Sequence, residues 1–163
     1  PMTNLGARIS LEKAAIGTIE VPVGDRNILA ELEAGSSNFG GEQSGHVIFH
    51  DIATTGDGLL SGLLLADLVK RKGQSSAALA SAAMSRYPQV LINVPIDSNA
   101  SPIIKAIEPK ITESKLRLGS AGRVLVRPSG TEALIRVMVE AEKEQTANDE
   151  AKRLASFIKS AAD

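Results

Sequence analysis

Arg127-Pro128-Ser129-Gly130-Thr131-Glu132 lies between two runs of alternating apolar residues, Arg123-Val124-Leu125-Val126 and Leu134-Ile135-Arg136-Val137-Met138-Val139. Period-2 patterning on both sides predicts two strands, with the polar stretch as the connection of a hairpin. A plain turn does not need this chemistry. Pro128 fixes its own φ and Gly130 permits φ > 0, which together shape a tight bend. Ser129 and Thr131 add hydroxyls, and the backbone N–H groups of such a loop can converge as an anion nest. The Arg127 guanidinium is a planar fork that suits phosphate oxygens bidentately. If Arg127 pairs near Leu134, Arg136 falls on the same face two residues further on. A one-residue slip in register would turn it to the other face. The alternative is an ordinary hairpin whose polar loop faces water.

Downstream, Thr146 and Asp149 resemble a capping box for a last helix, with Ala151, Leu154, Ala155 and Ile158 on one face. Upstream, Val90, Ile92, Val94 and Ile96 alternate as a strand, Asp97-Ser98-Asn99 reads as a turn, and residues 101–118 are helical in pattern but broken at Pro109. Joined to the hairpin, these give β-α-β-β-α: an α+β domain with an antiparallel sheet and helices on one face. Gln74-Ser75-Ser76 is the candidate boundary, which sets domains at 1–74 and 75–163.

Before that boundary strand and helix alternate. A helix from Thr3 or Asn4 to about Ala15 is followed by a short strand at Ile19, Val21 and Val23, with Pro22 better suited to an edge. A second helix carries Ile28, Leu29 and Leu32 and stops at Gly35. Ser36 to Asn38 is loop, Val47-Ile48-Phe49 is strand, and an amphipathic helix carries Leu59, Leu60, Leu63, Leu64 and Leu68 before Gly73. This predicts an α/β domain, a partial mixed sheet with helices.

Composition narrows the function. A chain of 163 residues, 43% hydrophobic and with a net charge of -1, can build one or two small cores. Near-neutral charge, with no basic run beyond Lys70-Arg71-Lys72, argues against nucleic acid as a partner. The absence of cysteine excludes disulfides and thiolate metal sites, which suits a cytoplasmic protein. Leu59 to Val69 is the longest apolar stretch; Ser61 and Asp67 interrupt it, and it is too short to cross a bilayer. No signal peptide is expected. Gly56, Gly58 and Gly62 miss the dinucleotide spacing, no Walker-A loop occurs, and His50 with Asp51 lacks a spaced third ligand for a metal.

A second polar constellation, Gly41-Glu42-Gln43-Ser44-Gly45-His46, sets three kinds of polar side chain between glycines. In an extended backbone Glu42, Ser44 and His46 would point to one side and Gln43 to the other. A carboxylate beside a hydroxyl can accept from and donate to adjacent sugar hydroxyls. His46 is a candidate for hydrogen bonding or proton transfer, because an imidazole titrates near pH 6.5. The plain alternative is a polar loop whose histidine satisfies a nearby carbonyl.

Val23-Gly24-Asp25-Arg26, Gly41 to His46, Thr54-Thr55-Gly56-Asp57-Gly58, and Arg127 to Glu132 with Leu134-Ile135-Arg136-Val137 occur in this order. Together they resemble the α-D-phosphohexomutases, most closely the bacterial phosphoglucosamine mutase branch. Gln43 matches that branch, whereas the phosphomannomutase/phosphoglucomutase branch usually has methionine there; Ala133 stands where the family usually has proline. The resemblance covers most of the family's third domain and all of its fourth.

It implies that Arg127, Ser129, Gly130, Thr131 and Arg136 hold a substrate phosphate. Glu42, Ser44 and His46 would bind the sugar, with Asp25, Arg26 and Gln43 as further candidates for substrate contact. For Asp25 and Arg26 a helix cap and a surface cation are equally good readings, and Asp57 reads as a turn or N-cap residue.

The intact enzyme would interconvert glucosamine 6-phosphate and glucosamine 1-phosphate through a phosphoserine, with Mg2+ bound outside this chain. Neither the phosphoserine loop nor the Asp-Gly-Asp-x-Asp-Arg magnesium loop occurs here. The expected partners are therefore a phosphosugar and the missing N-terminal domains of the same protein, and the chain alone is expected to be inactive. Two alternatives stay open: a phosphomannomutase/phosphoglucomutase fragment, or a stand-alone sugar-phosphate-binding module.

Overall fold

The Asn4 side chain accepts a hydrogen bond from the Gly6 N–H and starts α1 (Leu5–Lys13), the first element of the computed structural model, which describes residues 1–162. Gly24 at φ 121° precedes α2 (Asp25–Glu33). β1 (Phe39–Gly41) and β2 (Val47–Phe49) then pair antiparallel, Gly40 facing Ile48. A side chain at Gly40 would overlap Ile28 of α2, so glycine is what lets helix and strand approach this closely. That approach buries Ile28, Leu32 and Ile48, with Val21 and Leu29 packed against them.

The Asp57 side chain accepts from the Leu60 N–H at 2.9 Å and caps α3 (Gly58–Lys72), which ends at Gly73 in the left-handed conformation, φ 62°. No residue of α3 is buried, and Leu59 and Leu63 are largely exposed. Asp57→Ala is expected to lose about 1 kcal/mol in a urea or thermal melt, the usual worth of such a cap. An unchanged midpoint would mean that α3 contributes nothing to the cooperative transition.

Two expectations for this half need correction. Ile19 to Val23 is not a strand: Pro22 has no N–H to give a ladder, and the Val23 carbonyl accepts from the Asn27 side chain at 2.9 Å instead. The sheet is accordingly an antiparallel pair rather than a mixed one. β1 went unread because two of its three residues are glycine. The α/β character itself stands. α4 (Ser76–Ala83), capped by Ser75, belongs to the first of two compact units, Pro1–Ser85, whereas the sequence places a break before that helix.

The second unit begins at Arg86. It contains β3 (Gln89–Pro95), α5 (Ala100–Ala106), α6 (Glu108–Leu118), β4 (Gly122–Pro128), β5 (Leu134–Ala141) and α7 (Glu144–Ala162). Pro109 sits in the first turn of α6, where a missing N–H costs nothing, so it starts a helix after the break. The sheet order is β3-β5-β4, antiparallel throughout.

Strand alternation sorts the two sheet faces. Ile135, Val137 and Val139 of β5, with Val94 and Val124, enter one core with Leu154 and Ile158 of α7 and Ile103, Ile111 and Leu118 of α5 and α6. The other face carries Arg136, Met138 and Glu140 of β5. There Arg123 pairs with the fully buried Glu140, Nη2 to Oε2 2.6 Å. α7 starts ahead of the expected capping box because the Ala147 N–H already bonds the Lys143 carbonyl. Thr146 and Asp149 therefore lie inside the helix, and Asp149 accepts from Gln145 at 2.8 Å.

Candidate functional site

The β4–β5 register places Arg127 directly opposite Arg136, and Asn93 flanks Arg136 from β3. The pairing of Arg127 near Leu134 is thus corrected: Ser129 N–H bonds the Leu134 carbonyl at 2.9 Å, which shifts the closure of the hairpin by two residues. Both guanidinium groups still share a face, since opposed residues of a ladder point the same way. Like charges directly opposite destabilise a sheet unless something compensates them.

The compensation inside the loop is partial. Arg136 Nη2 donates to Ser129 Oγ at 3.3 Å and to Glu132 Oε2 at 3.1 Å. Its Nε is buried and has no acceptor. The side chain of Arg127, half-buried, makes no hydrogen bond or ion pair among the described residues. The Thr131 N–H points toward Ser129 Oγ at 3.5 Å. Gly130 does not use positive φ, and a Cβ there would meet open space. Glycine leaves room beside the loop rather than supplying a special bend. Arg127, Ser129, Gly130, Thr131 and Arg136 are therefore gathered at one sheet end with unsatisfied cationic donors.

In the first unit Glu42 to His46 is a turn between β1 and β2, not an extended segment. The Glu42 N–H bonds the His46 carbonyl at 3.0 Å, the Gly45 N–H bonds the Glu42 carbonyl at 3.1 Å, and Gly45 takes φ 97°. The turn nonetheless brings Glu42, Ser44 and His46 together. Ser44 Oγ donates to Glu42 Oε1 at 2.7 Å, and His46 Nδ1 lies 2.9 Å from the same oxygen. Ser44 Oγ and His46 Nδ1 are 3.1 Å apart.

Hydrogen bonds from Ser44 and then His46 hold the Glu42 carboxyl below its ordinary range, since both favour the charged form. The carboxylate in turn raises the His46 imidazole, and the charge of Asp25 adds to the effect. Asp25 opens α2 and accepts from the Arg26 N–H at 2.8 Å; Arg26 and Gln43 are exposed.

Two contributors escaped the sequence reading. The Gly24 N–H donates to Glu42 Oε2 at 3.3 Å, a contact across eighteen positions that no local pattern announces. Asn93 joins the arginine row only through the sheet order. Among the described residues, no group of three or more His, Cys, Asp or Glu side chains could hold a metal ion, and no helix is long and apolar enough to cross a membrane.

Comparison with known proteins finds one family across both units. Residues 1–87 match the family domain described as phosphoglucomutase/phosphomannomutase, alpha/beta/alpha domain III, and residues 91–157 match the phosphoglucomutase/phosphomannomutase C-terminal domain. A phosphoglucosamine mutase of Paenarthrobacter aurescens is 50% identical over 97% of this chain and 35% of its own length. One of Salinispora arenicola is 47% identical over 98% of this chain and 36% of its own length.

A crystal structure of a serine-to-alanine variant of Aspergillus fumigatus N-acetylphosphoglucosamine mutase in complex with glucose 1,6-bisphosphate has the same fold. It superposes with TM-score 0.79 at 19% identity, over 99% of this chain and 37% of that one. The chain thus spans little more than a third of the length of the relatives it matches. It belongs to the phosphoglucomutase/phosphomannomutase family, of which it carries domain III and the C-terminal domain.

Proposed function

We propose that this chain is the sugar-phosphate recognition part of a phosphoglucosamine mutase, which interconverts glucosamine 6-phosphate and glucosamine 1-phosphate through a phosphoserine carried elsewhere in the protein. Identity of 47–50% to proteins of that name supports the amino-sugar reading over the phosphomannomutase/phosphoglucomutase alternative. The β4–β5 connection anchors the phosphate that does not react, and Glu42, Ser44 and His46 engage sugar hydroxyls.

One observation carries the reading. Two guanidinium groups face each other across the ladder at the mouth of a hydroxyl-bearing loop, one of them without a partner and the other with a buried Nε lacking an acceptor. A phosphate would neutralise both and fill the vacant donors with charge-assisted bonds. Titration of inorganic phosphate into the 15N-labelled chain should move the amides of residues 127–136. Absence of any shift there at millimolar phosphate would overturn the assignment.

Magnesium would neutralise the transferred phosphoryl group in the whole enzyme. The described residues offer no ligand set for it. Binding and transfer are separable: the chain has donors for a phosphosugar but no phosphoserine loop to give a phosphoryl group. Supplied with glucosamine 6-phosphate, magnesium and a hexose bisphosphate, the pure chain is expected to form no 1-phosphate. Product above blank that disappears in Arg127→Ala would refute this.

A further inference from the structure

The Glu42 carboxylate has four lone-pair positions, and three are occupied from within the protein: Ser44 and His46 on Oε1, and the Gly24 N–H on Oε2. Only one acceptor position remains for a ligand. Most of this residue's hydrogen-bonding capacity is therefore used within the protein, and one position is left for a sugar hydroxyl.

The consequence falls on His46. Its Nδ1 lies 2.9 Å from Glu42 Oε1 and 3.1 Å from Ser44 Oγ. A lone pair on Nδ1 would face an ionised oxygen at hydrogen-bonding distance, which is repulsive. Ser44 cannot relieve that contact, because its single proton already bridges to Glu42 at 2.7 Å. A proton on Nδ1 turns the same geometry into a charge-assisted hydrogen bond. The Gly56 backbone faces the Cδ2 edge of the ring, where an added side-chain carbon would stand 3.7 Å away. Nε2 has no partner among the described residues, and the imidazole is 54% exposed.

We propose that Glu42 is a positioning residue for His46: its carboxylate keeps the proton on Nδ1, so that neutral His46 presents Nε2 to the ligand as a hydrogen-bond acceptor. Gly24 and Ser44 hold the carboxylate in place. The inference rests on the reading of this loop as sugar-binding, and it adds the direction in which hydrogen bonds run. A sugar hydroxyl meets a nitrogen that can only accept, until the ring takes a second proton. The charged groups facing the imidazole are Glu42 on the turn and Asp25 at the start of α2. Both favour its protonated form.

The tautomer is read directly from two-bond 1H–15N correlations of the His46 ring, recorded on the 163-residue chain at a pH where the ring is neutral. The expected pattern is a protonated Nδ1 and a bare Nε2. Glu42→Ala should turn it to the protonated-Nε2 form common in free imidazole. Glu42→Gln, whose amide oxygen still accepts, should keep Nδ1 protonated while lowering the ring's pKa. A protonated Nε2 in the unaltered chain overturns the proposal without any variant, and so does an Nδ1 proton that survives in a folded Glu42→Ala.

Glucosamine 6-phosphate then separates the two readings. A shift of the Nε2 resonance on binding supports the acceptor role. Binding that moves residues 127–136 but leaves Nε2 still overturns it. No response at either loop refutes the sugar-phosphate reading itself.

Discussion

Arg127→Ala is expected to weaken inorganic phosphate binding by about tenfold to a hundredfold. The loss is that of charge-assisted hydrogen bonds, worth about 1.5–3 kcal/mol, at about 1.4 kcal/mol per decade. The substitution is clean because the Arg127 side chain has no hydrogen bond or ion pair among the described residues to forfeit, and its strand is held by the β4–β5 ladder. Removing it also relieves the like-charge opposition with Arg136, so the hairpin's own stability should not fall. An NMR or calorimetric titration decides the matter. Equal apparent affinities for variant and parent, with the fold intact by circular dichroism, would remove Arg127 from the site and leave Arg136 as its only cation, beside the Ser129 hydroxyl.

Ile158→Ala should cost the second unit about 2–5 kcal/mol, the range for truncating a fully enclosed aliphatic side chain. Ile158 is 0% exposed on α7 and belongs to the cluster that joins that helix to Val94, Ile135 and Val137 of the sheet. The upper part of the range is expected because a rigid three-strand layer leaves the vacated space little freedom to collapse. Urea unfolding followed through amides of β3 and β5 gives the number. A loss below about 1 kcal/mol would mean that α7 repacks on the sheet, and that the core is softer than its burial implies.

How much of this was readable from residues alone depends on the range over which each feature is specified. The β4–β5 hairpin was legible because its alternation and its punctuation sit within a few residues of each other. So was the last helix, from Ala151, Leu154, Ala155 and Ile158 on one face. The pairing register was not, because it was set by the Ser129–Leu134 backbone bond and not by any side-chain pattern. Ile19 to Val23 shows the opposite failure: alternation was present, but a strand exists only with a partner, and partners are non-local.

The convergence of Glu42, Ser44 and His46 was anticipated for the wrong backbone. An i, i+2, i+4 spacing puts side chains together on an extended strand, and here a turn closed by two hydrogen bonds achieves the same meeting. Gly24, which orients Glu42, lies outside any window that a local reading would use.

If the β4–β5 connection holds a phosphate as proposed, the alternation of β5 ties ligand binding to quality of assembly. Ile135, Val137 and Val139 point into the helix-covered core while Arg136 points out beside Arg127. A strand misaligned by one residue would bury a guanidinium among aliphatic side chains and present isoleucine to the anion. Such a molecule would lose its core and its ligand together. Retention on a phosphate-bearing resin would then act as a proofreading step, passing misregistered chains into the flow-through and keeping correctly zipped ones. A single-residue insertion within β5 should be punished far more severely than one in the exposed connection between Gly130 and Ala133.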